Sequence, residues 1–174
     1  MSIKKQVLSM GVNVEIAKRK FIPDPNGPDV GLDGTKGFYG DWDRQEIHNL
    51  LTDDGRDFLH EQGYETTGLG SNGANYIGLS SNASAPADGD SSLAGEISSG
   101  GLSRSQGTVS HSSGTNSTQI QKTFTATATH TGVRKSGLLT ASSAGVLVHE
   151  AVFTSVNLEN NDQLQVTWTI TLDD

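Results

Sequence analysis

The sequence predicts a mainly β protein: an antiparallel β-sandwich or jelly-roll-like body with a short helical segment and an extended N-terminal arm. Three observations lead there. The closing stretch QLQVTWTITLDD places Leu164, Val166, Trp168, Ile170 and Leu172 on alternate positions, with Gln163, Gln165, Thr167, Thr169 and Thr171 between them. Successive strand side chains point to opposite faces, so this is a strand with one apolar face and one Thr/Gln face. STQIQKTFTATATH alternates in the same way, setting Ile120, Phe124, Ala126 and Ala128 against Gln119, Gln121, Thr123, Thr125, Thr127 and Thr129. From residue 64 onward, short strands follow one another through Gly/Ser-rich turns with no helices between them, which favours antiparallel neighbours. Burying each large apolar side chain is worth about 1.5–3 kcal/mol, so a second layer is expected against the final strand.

The elements divide the chain into an arm and connector (1–43), short helices (44–63) and a sandwich body (64–174). In the arm, VNVEI at 12–16 alternates as a short strand does. The segment FIPDPNGPDVGLDGTKGFYGDWD, residues 21–43, holds three of the four prolines and frequent glycines, so it reads as an extended connector following a surface. DRQEIHNLLTDDGRDFLHEQG has the helical pattern. Asp43 and Glu46 have capping-box spacing, Ile47, Leu50 and Leu51 share a face, and Thr52 or Asp53 can cap a second turn before Phe58 and Leu59. Gly55 then separates two helices and Gly63 supplies a C-cap. In the body, ANYIGLSS (74–81), GLSRSQGTVSH (101–111), VRKSGLLTA, VLVHEAVFTSVNL and LQVTWTITL complete the strands.

Composition bounds the function. The chain has 174 residues, enough to bury a core unaided, and no cysteine, so neither disulfides nor thiolate metal sites. No apolar run approaches the roughly 20 residues needed to cross a bilayer, and no signal-peptide pattern opens the chain, which predicts a soluble protein without a membrane partner. The sequons at Asn82 and Asn116 are then chance matches in Ser-rich loops.

The formal net charge is −8, unevenly spread. Residues 1–20 carry Lys4, Lys5, Lys18, Arg19 and Lys20 against Glu15, a balance of +4 that leaves −12 for the remainder. A basic arm on an acidic body suggests docking onto an acidic neighbour, including a copy of itself. Nucleic acid is disfavoured, because the body repels phosphate and no aromatic is interleaved with the basic residues before Phe21. Arg56 and Arg104 stand alone in neutral or acidic stretches, as anchors for a carboxylate between subunits or layers or as solvated surface cations.

Chemistry has no comparable signal. GLGSNG at 68–73 matches G-x-G-x-x-G, but a strand follows it where a helix is required. Asp88, Asp90 and Glu96, with Asp24, Asp29 and Asp33, raise calcium, yet an EF-hand loop from Asp88 would place Leu93 and Ser99 where Gly and Glu belong. Turn formation accounts for these acids. His111, His130 and His149 lie in or beside strands without metal-ligand spacing. There is no G-x-S-x-G elbow, and Asp53, Asp54 and Asp57 fit helix N-termini. No cofactor and no catalytic residue is assigned.

In order along the chain, LLTDDGRDFL, GANYIGLSS, APADGDSSLAGE, GGLSRSQGT, KTFTATAT, SGLLTASSAGVLVHEAVF and DQLQVTWTI resemble small structural proteins from the virion modules of tailed viruses of bacteria and archaea. The resemblance covers roughly residues 48–172 and leaves 1–43 outside. It implies a β-rich accessory component of the virion, either a capsid decoration or cement protein or a tail, baseplate or fibre component. It also implies self-association, a trimer by analogy, and major capsid or tail proteins as partners. A glycan-binding tip would instead need an exposed aromatic platform, for which Trp42, Tyr39, Phe38 and Tyr64 are the candidates outside the strands.

Overall fold

A computed structural model of the chain describes residues 9–55 and 73–173. The strands are β1 (Ser9–Arg19), β2 (Phe21–Pro23), β3 (Gly37–Tyr39), β4 (Asp43–His48), β5 (Leu50–Leu51) and β6 (Tyr76–Ser80). They continue with β7 (Ser105–Gln106), β8 (Thr108–His111), β9 (Ser117–Thr125), β10 (His130–Leu139), β11 (Leu147–Leu158) and β12 (Gln163–Asp173). One sheet runs β4-β1-β12-β9-β8, a second runs β5-β11-β10-β6-β7, and β2 and β3 form a separate hairpin. All these pairings are antiparallel, so the predicted mainly β, sandwich-like architecture is what the chain adopts.

The alternation in β12 drives the packing. Leu164, Val166 and Trp168 are fully buried, as are Val14, Ile16, Ile77, Leu79, Leu138 and Phe124 from neighbouring strands. They form one core between the sheets. Trp168 Nε1–H donates across that core to Ser136 Oγ at 3.3 Å, satisfying the one polar group the indole brings inside. The His149 ring stacks on the indole, with centroids 6.0 Å apart.

The second sheet is covered on its outer side as well. Leu93, from the long segment between β6 and β7, packs there with Leu139, Leu147 and Tyr76. Glycine makes room for it: a Cβ on Gly78 would stand 2.9 Å from Leu93 Cδ2 and 2.7 Å from Glu96 Oε1. The turn-rich stretch of acids therefore acts as a lid over apolar surface.

Both flanks of the sandwich are made by chain that passes from one sheet to the other. On one flank β4 leads through Asn49 into β5; on the other β7 leads through Gly107 into β8. Gly107 sits between the layers, where a Cβ would lie 2.7 Å from Ile120 Cγ2 and 3.3 Å from Ile77 Cδ1. Only a residue without a side chain lets the backbone cross so close to both sheets.

Two expectations change. Residues 9–19, assigned to an arm, form a strand held between β12 and β4. Val12, Val14 and Ile16 put the core period into the basic segment, and that burial outweighs the charges at its ends. The helical reading of 44–63 also fails over its first part, where β4 pairs Asp43 with Lys18 and Glu46 with Glu15. A break at Asn49 between two short strands satisfies the spacing of Ile47, Leu50 and Leu51 as well as a helix does, so sheet pairing decided between them. Helical geometry begins only at Asp53–Gly55, behind a Thr52 cap whose Oγ1 accepts from Gly55 N–H at 3.0 Å. The rest of the expected helical stretch, including Phe58, Leu59 and Gly63, lies outside the described residues.

The connector is docked. Asp162 is buried and accepts Phe21 N–H at 2.8 Å, and Lys20 Nζ lies 3.4 Å from its other oxygen. Asp33 receives the side-chain amides of Asn160 and Asn161 at 2.8 and 3.0 Å, joining the connector to the β11–β12 turn. Hydrogen bonds from Thr35 above all, and then from these two amides, hold the Asp33 carboxyl well below the usual carboxylate range.

Candidate interaction face

The outer side of the β4-β1-β12-β9-β8 sheet is a broad polar surface. Its rows follow from register: Glu46, Glu15, Thr167, Gln121 and Thr108 are successive partners, and so are His48, Asn13, Thr169, Gln119 and Ser110. Five strands spaced at 4.7–4.9 Å make this surface about 20 Å across.

Its centre is a ladder of cross-strand side-chain pairs. Gln165 Nε2 donates to Thr123 Oγ1 at 3.0 Å, and Gln163 Nε2 to Thr125 Oγ1 at 3.3 Å. In the next two rows the glutamine moves to the opposite strand: Gln121 Nε2 donates to Thr167 Oγ1 at 3.0 Å, and Gln119 Nε2 to Thr169 Oγ1 at 3.5 Å. Each pair contributes only a few tenths of a kcal/mol to about 1 kcal/mol, but four in succession lie the long amides flat along the sheet. Gln119, Gln121 and Gln165 keep the amide oxygen as an acceptor, Gln163 spends its own on Arg19, and each threonine keeps its hydroxyl proton to donate. The result is an uncharged array of hydrogen-bonding groups at fixed spacing, over a shallow concavity of about 420 Å³.

Among the described side chains, charge is confined to one side of the array. Arg44 pairs with Glu15, while Glu46, directly across from Glu15, has no ion pair among the described residues. At the end of the ladder Arg19 donates to Gln163 Oε1 from Nε at 2.9 Å and from Nη2 at 2.6 Å. Its guanidinium lies 4.2 Å from the Tyr39 ring centre and 4.5 Å from that of Trp42. Two of the aromatics suggested for a glycan platform are thus engaged with a cation, Phe38 is exposed on the hairpin, and Tyr64 lies outside the described residues.

Among the described residues, the cations singled out from sequence do not form one patch. Lys4, Lys5 and Arg56 lie outside the described residues. Lys18 is half-exposed on β1, Arg19 is held as above, and Lys20 reaches Asp162. Arg104 is turned inward: Nε and Nη2 grip Glu96 at 2.6 and 2.5 Å, and Nη1 donates to the carbonyls of Ala141 and Ala144 at 3.1 and 2.6 Å. Its carboxylate is therefore in its own chain, and its role is to tie two loops together.

The histidines also separate. His111 is on the edge strand β8, His130 meets the Gly100 carbonyl at 2.9 Å, and His149 is buried against Trp168. No group of three metal-capable side chains forms among the described residues. Asn49 Nδ2 donates to His149 Nδ1 at 2.8 Å, which leaves the proton of the neutral ring on Nε2. Burial pushes the imidazole down to about 4.

Sequence reading missed the most unusual group. Lys135 and Glu150 are both buried on the covered side of the second sheet, with Nζ and Oε2 3.3 Å apart. Asp90, from the covering segment, shares a hydrogen bond with Glu150. Burial and that bond push the Glu150 carboxyl up to about 7 against the pull of Lys135. Asp90 moves the other way, lowered chiefly by its hydrogen bond with Glu150. Lys135 and Glu150 look like ordinary strand polars in the sequence; only pairing β10 to β11 and laying Asp90 over them makes the cluster.

Comparison with known protein families, with curated proteins and with solved structures gives no match. Fold and face together define an antiparallel β-sandwich with one sheet covered by its own loops and the other offering a wide, mostly uncharged polar surface.

Proposed function

We propose that the chain is a non-enzymatic structural protein of a virion surface, a capsid-associated decoration or cement protein that binds through a sheet face and through contacts with copies of itself. The observation that carries this reading is the Gln/Thr ladder. A broad, pre-ordered array of neutral donors and acceptors suits a flat hydrophilic partner surface, which it meets without desolvating many charges.

The segments that resemble virion accessory proteins support the reading by where they fall. GANYIGLSS holds β6 and Gly78; APADGDSSLAGE is the covering segment with Asp90, Leu93 and Glu96; SGLLTASSAGVLVHEAVF runs from the end of β10 into the first half of β11 and holds Glu150. These are positions that build the scaffold of the sandwich. The described part of the basic arm is a sheet strand, which moves the proposed attachment from an arm to the polar face. Modest affinity at each copy becomes firm attachment on a repeating lattice.

The test is protein counting on purified virions, together with a variant carrying Gln121→Glu and Gln165→Glu. Copies on the order of hundreds per particle, with the variant absent from particles, support the capsid reading. A few to dozens of copies would shift the assignment to tail or fibre, and a chain absent from particles would end it.

A further inference from the structure

The ladder sheet is finished differently at its two sides. On one side β4 exposes Asp43, Arg44, Glu46 and His48. Charges along an edge oppose the addition of a further strand. On the other side β8 is exposed at all four positions and carries no Asp, Glu, Lys or Arg. The uncharged stretch is longer than the strand: between Arg104 and Lys122 the chain has no carboxylate and no Lys or Arg.

β8 pairs with β9 alone, so the backbone groups on its far side have no strand partner among the described residues. Val109 adds an apolar element. It is the register partner of the buried Ile120, yet is itself 49% exposed. A shallow hollow of about 350 Å³ lies beside it, lined in part by Ser110, His111, Thr115 and Gln119.

We infer that β8 is the pairing edge for β8 of a second copy of this chain, running antiparallel across a two-fold axis and merging the two polar faces into one ten-stranded sheet. Charge selects this occupant. Two copies, each with net charge −8, repel at most approaches, and repel least along an edge with no carboxylate over residues 105–121. A charged peptide finds no counter-charge there, and an apolar one finds a single exposed side chain. Antiparallel self-pairing is the closed, isologous arrangement open to a strand. Centred on Val109, it sets the two valines against each other and covers both. Thr108 and Ser110, partners of the ladder residues Gln121 and Gln119, then carry the polar rows into the second copy. This contact supplies the self-association in the proposed function. It is tested on the isolated protein, so its failure is distinct from failure of the virion reading.

The experiment is sedimentation velocity of the full chain across a concentration series, with Val109→Lys and a control, Asp41→Asn. Both variants change net charge by the same amount, and Asp41 is exposed outside the face and the edge. Wild type and D41N are expected to dimerise reversibly, and V109K to dissociate about tenfold more readily, because it places like charges opposite each other. Amide hydrogen exchange on the wild type gives a second readout that needs no variant: protection at Thr108–His111 rises with concentration. A monomer at all concentrations, a trimer, a dimer indifferent to V109K, or concentration-dependent protection that spares β8 each overturns the inference.

Discussion

Lys135 Nζ lies 3.3 Å from Glu150 Oε2 with both side chains 1% exposed, and the other Glu150 oxygen has no donor among the described residues. A fully ionised pair here would leave that oxygen charged and unsolvated. Protonation, with the proton shared toward Asp90, resolves the mismatch and leaves Asp90 as the counter-charge for Lys135.

This cluster and His149 predict opposing pH dependences. Glu150 titrates near 7 when folded, against an ordinary 4.5, so its contribution to stability is complete below 4.5 and is lost as pH rises through 7. His149 titrates near 4 when folded, against 6.5, so acidification from 6.5 toward 4 destabilises the fold as the unfolded chain takes up the proton. Between pH 4.5 and 6.5 the two trends oppose each other, each on the order of 3 kcal/mol across its full range. Thermal melts should show Glu150→Gln losing stability on acidification in that window and His149→Gln gaining it. Parallel curves for wild type and both variants would contradict this account.

The ladder should matter to binding more than to folding. Gln121→Glu with Gln165→Glu removes two amide donors from the exposed side of an intact sheet, at a cost of about 1 kcal/mol or less per pair. Melting should shift by only a few degrees, while capture on particles or on purified capsid protein is lost. Unchanged capture would remove the face from the attachment surface.

Arg104 is predicted to be structural. Arg104→Met strands the Glu96 carboxylate and frees the carbonyl of Ala144, which sits at φ 51°, a conformation L residues resist. The expected loss is about 2–4 kcal/mol by chemical denaturation, and Arg104→Lys should recover little because lysine has no bidentate fork. Full stability in R104M would return Arg104 to the list of residues free to meet a partner.

Gly107→Ala tests the flank. The added methyl lies against Ile120 from one sheet and Ile77 from the other, so the β7–β8 crossing must move, at about 1–3 kcal/mol. Hydrogen exchange should speed up at β8 and β7 before the β1–β12 pair is affected. Equal weakening throughout would mean that this corner does not fold as a separable element.

Local periodicity made much of this molecule legible. The alternation of β12 and β9 identified their apolar faces: Trp168, Phe124, Val166 and Leu164 lie in the core, while Ala128 lies beyond the end of its strand. It also identified the Gln/Thr side that became the candidate face. Where two periods fit the same residues, as at Ile47, Leu50 and Leu51, the reading went to a helix and the fold to strands. In the N-terminal segment the alternation at 12–16 was legible as a short strand, but its extension over Ser9–Arg19 and its place between β12 and β4 were not.

The sequence by itself determined which side of each strong strand is apolar, because the pleat converts a period of two directly into two faces. Only the tertiary structure decided which strands stand side by side. That choice aligned each glutamine with its threonine, turned Arg104 inward, brought Asp90 over Glu150 and Lys135, and left β8 at an uncharged edge. Such partners lie far apart along the chain, and their meeting depends on the burial and hydrogen bonding of the whole sandwich, which no local pattern encodes.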